Sequence, residues 1–259
     1  GLGFPIVFNY LKLLRHLLVN TFKIVIGQQK HYIHTPRIIN INTYIVMIST
    51  LVLLAGGTFF YYLLEMDNTL AGLPFRRQLA NAFLGAVTPR TAGFCVADMG
   101  TLTTGTLMLT LILMIIGAAP MSTGGGLKVT TVCVALLTAH NAARGKENVE
   151  IRKREISPET IRRAFATIVF YFCWLGAAVW ILSITEKDVP VFTLIFEVVS
   201  ALSTVGLSLN FSPLLSISGK LVIIFTMLVG RIGILAFFIS FYKEYKKKNY
   251  TYPQENILM

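Results

Sequence analysis

Four stretches of this chain carry no charged residue: positions 38–64 (27 residues), 99–127 (29), 164–185 (22) and 198–219 (22). A helix that crosses a bilayer needs about 20 mostly apolar residues, so at least three of these runs are long enough to cross. The composition agrees. Residues of the hydrophobic set make up 54% and charged residues 14%, with mean hydropathy +0.68, whereas soluble domains carry about 25% charged residues. A soluble enzyme and a disordered chain are both excluded. The expectation is an all-α integral membrane protein.

Charge placement predicts topology. The 23 Lys and Arg outnumber the 12 Asp and Glu. Of these basic residues, 17 lie before the first run, between the second and third, after the last, or at Lys128. Only Arg76, Arg77, Arg90, Lys187 and Lys220 are assigned to the other side. The positive-inside rule puts the larger group, and the C-terminus, in the cytoplasm. The net charge of +11 then reflects topology, and no nucleic-acid partner is implied. The predicted crossings are about 42–64, 101–140, 164–184 and 219–242.

Two segments, 76–94 and 190–208, are too short to cross and return as two helices. Each starts as an apolar helix-like stretch and ends at a glycine. Irregular backbone at membrane depth is tolerated only where protein or a water-filled cavity surrounds it. Both are therefore predicted to be re-entrant pore loops.

The halves superpose at an offset of 113 positions, pairing Phe83 with Phe196, Thr91 with Thr204, Gly93 with Gly206, Leu102 with Leu215, Met114 with Met227 and Gly117 with Gly230. The unit is helix, re-entrant loop, helix, in tandem. Gly3 matches Gly233, so residues 1–26 are expected to end a preceding copy. The predicted division is 1–41 (end of a preceding repeat and basic linker), 42–140 (pore repeat), 141–163 (cytoplasmic basic linker), 164–248 (pore repeat) and 249–259 (cytoplasmic tail). The N-terminus has no initiator Met or basic n-region, which suggests that the chain begins mid-protein.

Thr91-Ala92-Gly93-Phe94 and Thr204-Val205-Gly206-Leu207 are the candidate selectivity filter. A cation entering a bilayer must exchange hydration oxygens for protein oxygens, and glycine permits backbone angles that aim successive carbonyls inward. Taken singly, each glycine is better explained as an ordinary helix end. Their recurrence after apolar half-helices favours the filter. Residues 117–126 hold four glycines and Pro120, and a broken helix is predicted there, suited to a movable constriction. Gly117, Pro120, Gly124, Gly125, Gly126 and Lys128 are its candidate gate residues.

Arg231 completes that set. Ten uncharged residues precede it and eleven follow, and an intramembrane charge is a functional hypothesis by default. It is expected to obstruct cations or to hold the Gly-rich segment through its carbonyls. Glu197 is expected to brace the second loop from behind. Cys95, Cys133 and Cys173 have no metal-ligand spacing. The four histidines are assigned no chemistry.

Together, Ala-Val-Thr-Pro-Arg-Thr-Ala-Gly-Phe (86–94), Ser-Thr-Gly-Gly-Gly-Leu-Lys (122–128), Phe-Glu-Val-Val-Ser-Ala-Leu-Ser-Thr-Val-Gly-Leu-Ser (196–208) and Gly-Arg-Ile-Gly (230–233) resemble the Trk/Ktr/HKT superfamily of potassium transporters, closest to the bacterial Ktr membrane subunit. The resemblance implies four repeats around one pore, of which this chain holds the third and fourth. It implies potassium uptake across the cytoplasmic membrane, with sodium as the alternative ion and no covalent cofactor. It also implies a homodimer in membrane lipid, completed by N-terminal pore repeats. Nucleotide enters only through a cytoplasmic ring subunit. A non-conducting scaffold that kept half of a pore fold is the competing expectation. No HExxH, Gly-x-Ser-x-Gly or paired intramembrane carboxylate suggests an enzyme.

Overall fold

Two long helices frame the molecule. The computed structural model describes residues 3–25, 41–95, 97–146, 149–151 and 154–241. The helices are α1 (Phe4–Val25), α2 (Ile41–Glu65), α3 (Phe75–Val87), α4 (Thr104–Ile115), α5 (Val129–Ala143), α6 (Pro158–Thr185), α7 (Val191–Leu202), α8 (Ile217–Ile232) and α9 (Ile234–Ile239). Of these, α2 and α6 are long and apolar enough to cross a membrane, and only 17% of the most apolar window of each is buried inside the protein. Outward-facing Leu51, Phe59, Val169 and Trp180 are more than half exposed. The C-terminal tail 249–259 and Lys30, Arg37, Arg152, Lys153 and Lys243 to Lys248 lie outside the described residues.

Local chemistry sets the helix starts. The Ser157 Oγ accepts from the Thr160 N–H, Pro158 occupies the first turn, and Glu159 pairs with Arg163 one turn on, at 2.7 Å. Thr103 and Ser216 cap α4 and α8 in the same way, accepting from the N–H groups of Thr106 and Gly219. Pro74 and Pro190, in extended backbone, immediately precede the short helices α3 and α7.

Shifted by 113 positions, the single 3₁₀ turn Met99–Thr101 falls on Ser212–Leu214, and Thr104 at the start of α4 falls on Ile217 at the start of α8. Each short helix packs on the long helix before it, α3 on α2 and α7 on α6. Gly57 of α2 makes this approach close, since a Cβ there would stand 3.1 Å from that of Ala86. Between the halves, Tyr61, Met114, Phe196, Val199 and Leu207 belong to one buried apolar cluster.

The fold is mostly helical, as expected; β1 (Glu150–Ile151) and β2 (Arg154–Glu155) form one short antiparallel pair in the polar linker between α5 and α6, with Glu150 opposite Glu155. Two expectations need correction. The 219–242 crossing is not one helix, since Gly233, at φ 95°, separates α8 from α9. Gly3 takes the same left-handed backbone, φ 76°, immediately before α1. Finally, Arg90 does not sit on an outer face. It is 7% exposed, and its Nη2 lies 3.5 Å from the Thr50 hydroxyl in the middle of α2. The turn after α3 folds it inward, so it says nothing about sidedness.

Candidate permeation site

The two glycine-bearing segments leave their short helices in the same unusual backbone. Thr91 and Gly93 have φ of 66° and 69°, and Thr204 and Gly206 have 53° and 86°. A β-branched residue in this left-handed region is strained, at roughly 1–2 kcal/mol. Both segments therefore hold a local conformation that only the surrounding structure can maintain. They also touch. A Cβ on Gly93 would stand 2.6 Å from the Val205 carbonyl oxygen, so only glycine lets the two backbones come this close.

Each segment is braced differently. In the first, the buried Thr88 hydroxyl donates to the Phe94 carbonyl at 2.7 Å. In the second, Glu197, 4% exposed, accepts from the Ser208 hydroxyl, the Leu209 N–H (3.1 Å) and the Ser212 hydroxyl (2.7 Å). These donors directly follow the segment in the chain. Tyr171 Oη adds a contact of 3.0 Å to Ser203 Oγ, at the base of the second segment. Ala92 is half-buried, Val205 and Leu207 are buried, and the Phe94 side chain is 76% exposed.

Residues 116–128 fold into a closed loop directly against both segments. The loop is stitched by Gly117 N–H to Leu127 O (2.9 Å), Leu127 N–H to Ile115 O (3.1 Å) and Val129 N–H to Ala118 O (3.3 Å). The Gly125 N–H donates to the Thr204 hydroxyl at 2.7 Å. A Cβ on Gly124 would meet the Thr91 side chain at 2.7 Å, and one on Gly126 would meet Ser203 Oγ at 3.0 Å. Gly117 faces the Gly125 and Gly126 backbone, so the loop cannot close around a larger residue. Pro120 is not at this contact. Its carbonyl faces Gly3, at the start of α1.

Two cations hold the loop. Lys128 Nζ donates to the Gly124 carbonyl, and Arg231 donates from Nη1 to the neighbouring Thr123 carbonyl. Both line a cavity of about 370 Å³ with residues 121–126, Tyr171, Leu202 and Gly230. A second cavity, of about 340 Å³, is lined by Gly93, Gly206, Asp98, Ser208 and Asn210. The paired segments thus contribute to one cavity, and the loop beside them contributes to the other.

Two carboxylates in this arrangement are not among the candidate residues of the sequence. Glu65, fully buried at the end of α2, is one: its Oε1 accepts from the Thr103 N–H (2.8 Å) and hydroxyl (3.0 Å), and its Oε2 from the Thr69 hydroxyl (2.8 Å). Glu186, at the end of α6, takes up the equivalent position on Ser216, accepting from its N–H at 3.0 Å and from its hydroxyl. A carboxylate shortly before a Pro-led short helix was the available signal. Among the described residues no group of three or more His, Cys, Asp or Glu could hold a metal ion.

A model of the TrkH family, described as a cation transport protein, matches residues 1–252. The chain belongs to the TrkH family. The Ktr system potassium uptake protein B of Bacillus subtilis is 35% identical over 259 residues, covering 99% of this chain and 53% of that protein. The potassium/sodium uptake protein NtpJ of Enterococcus hirae is 35% identical over 232 residues, 87% of this chain and 51% of that protein. The crystal structure of the potassium transporter TrkH from Vibrio parahaemolyticus superposes with a TM-score of 0.64 at 18% identity, covering 75% of this chain and 43% of that one. The chain spans about half the length of these relatives. It is a member of a family of membrane transporters, not of enzymes, and its fold is that of a TrkH protein.

Proposed function

We propose that this chain supplies two of the pore repeats, 42–140 and 164–248, of a transporter that takes up potassium across the cytoplasmic membrane. Thr91 to Phe94 and Thr204 to Leu207 are its filter. The contact between Gly93 and the Val205 carbonyl, made by two segments with the same alternation of left-handed residues, carries this reading. Such alternation turns successive carbonyls toward one line, where they replace the water lost by an entering ion. Potassium is taken as the ion because it stands in the names of both uptake proteins and of the solved transporter described above, with sodium, which NtpJ's name adds, as the alternative.

The loop 117–126 with Pro120, Lys128 and Arg231 is the gate. Its contact with Thr91 and Thr204 supports a position on the inner side of the filter, and the two cations on its carbonyls support a closed state. Basic loops and the C-terminus face the cytoplasm, where they offer a docking face for a nucleotide-binding ring subunit. The membrane units pair as a homodimer.

Further repeats complete the ring. Phe83 and Phe196 are equivalents, yet Phe196 is fully buried in the cluster that includes Met114 of α4, while Phe83 is 49% exposed. Phe83 lines an apolar groove between α2 and α3, of about 1120 Å³. By analogy with α4 on α7, the inner helix of a preceding repeat fits there.

The test is growth of an uptake-deficient bacterium at limiting potassium, expressing this chain alone or joined to preceding repeats. Rescue by the joined form supports the proposal. Failure of both, with both present in the membrane, favours a non-conducting scaffold.

A further inference from the structure

The cavity on the outer side of the filter carries one acid that the proposed mechanism does not use. Asp98 lines it together with Gly93 and Gly206 and, among the described residues, is the only charged one in its lining. The carboxylate is held in place. Its Oδ1 accepts from the Gly100 N–H at 3.1 Å and from Asn210 Nδ2 at 2.8 Å. Asn210 lies 112 positions away, in the loop that follows the second filter segment, in left-handed backbone at φ 61°. The bond therefore bridges the two loops across the mouth. Both bonds fall on Oδ1, and the residue is exposed at the cavity it lines.

We propose that Asp98, oriented by Asn210, is the residue that collects cations at the external mouth of this pore. This rests on the potassium-uptake reading above and adds to it the site that sets apparent affinity. A fixed negative charge in a cleft with low-dielectric walls raises the local concentration of monovalent cations, and salt screens that effect. A backbone carbonyl filter carries no net charge of its own. In this pore the long-range attraction comes from Asp98, and selection follows at the carbonyls. Asn210 is a positioning residue, which acts only through the carboxylate it holds.

The experiment measures the concentration dependence of rubidium uptake by the full-length transporter at low and high ionic strength. Asp98→Asn is expected to raise KM by about three- to tenfold at low ionic strength, the effect of one unit charge acting at several ångströms through partly aqueous surroundings. The maximal rate should stay near that of the unmutated protein, and the KM difference should shrink in high salt. Asp98→Glu should retain most of the affinity. Asn210→Ala should give a smaller rise with the same salt dependence. If Asp98→Asn leaves KM unchanged, or if Asp98→Asn and Asp98→Glu lose maximal rate equally at equal membrane abundance, Asp98 is only a clasp and the inference is overturned. An unmutated transporter with no potassium or rubidium flux would instead overturn the uptake reading on which it rests.

Discussion

The Thr204 hydroxyl accepts a hydrogen bond of 2.7 Å from the backbone N–H of Gly125, so the strained segment of one half is tied to the Gly-rich loop of the other. Thr204 is itself left-handed, with φ 53°. A change in the loop is therefore felt at a residue whose conformation depends on its surroundings.

Gly93→Ala should damage transport more than Gly206→Ala. Both sites are left-handed, but a Cβ at Gly206 meets nothing within 4 Å, whereas one at Gly93 meets the Val205 carbonyl at 2.6 Å. The strain alone is worth about 1–2 kcal/mol, enough for about a tenfold loss of rubidium uptake if the conducting conformation carries it. Gly176→Ala, in the interior of α6 with open space around it, should transport like the parent. Equal activity of all three variants would sink the filter assignment.

Arg231→Ala should raise uptake. Its guanidinium holds the Thr123 carbonyl, and a hydrogen bond from a charged donor is worth about 1.5–3 kcal/mol. Removing it shifts the open-to-closed ratio by about tenfold or more. Shortening 117–126 should act in the same direction. Flux that is unchanged or lower in both variants, at equal expression, would remove the gate assignment.

Glu197→Leu should reduce discrimination between potassium and sodium more than it reduces total flux. The substitution leaves the half-buried Leu209 N–H and the Ser208 and Ser212 hydroxyls without their acceptor. An orphaned group of this kind costs about 1–3 kcal/mol. Glu197→Gln keeps one acceptor oxygen and should lie between. A competition assay of rubidium uptake against sodium measures the difference, and identical selectivity in all three proteins would show that the brace does not shape the filter.

Glu65→Ala should lower thermal stability in detergent more than Glu186→Ala. Glu65 is fully buried and serves Thr103 and Thr69, whereas Glu186 is half-buried and serves Ser216. The loss at Glu65 is expected to reach about 3 kcal/mol, because the Thr103 N–H and the Thr103 and Thr69 hydroxyls lose their acceptor. A smaller shift in Tm for Glu65→Ala than for Glu186→Ala would contradict the reading that Glu65 is the stronger support of the two, holding Thr103 at the start of α4.

What could be read from the sequence was local or periodic. The uncharged runs marked α2 and α6, the apolar stretches that open segments 76–94 and 190–208 marked the short helices, and the cluster of glycines at 117–126 marked the break between α4 and α5. The offset of 113 aligned the two threonines that turn out left-handed. Relationships that join distant positions were invisible. Glu65 meets Thr103 across 38 residues, and Asp98 meets Asn210 across 112; neither pair follows a helical or strand period. Arg90 was misjudged because a charge beside a turn ordinarily faces water, whereas here the turn is folded against α2. The break at Gly233 was not legible because glycines are common inside membrane helices, and nothing in Gly-Arg-Ile-Gly (230–233) shows which one leaves the helix.

The central claim is that one cation is coordinated jointly by the two glycine-bearing segments. Anomalous diffraction from crystals of the full-length transporter grown in rubidium tests it most directly. The account predicts a rubidium peak within carbonyl coordination distance of both Thr91 to Gly93 and Thr204 to Gly206, between the cavity that contains Asp98 and the loop held by Arg231. A conducting protein whose rubidium sites all lie away from these two segments would contradict it.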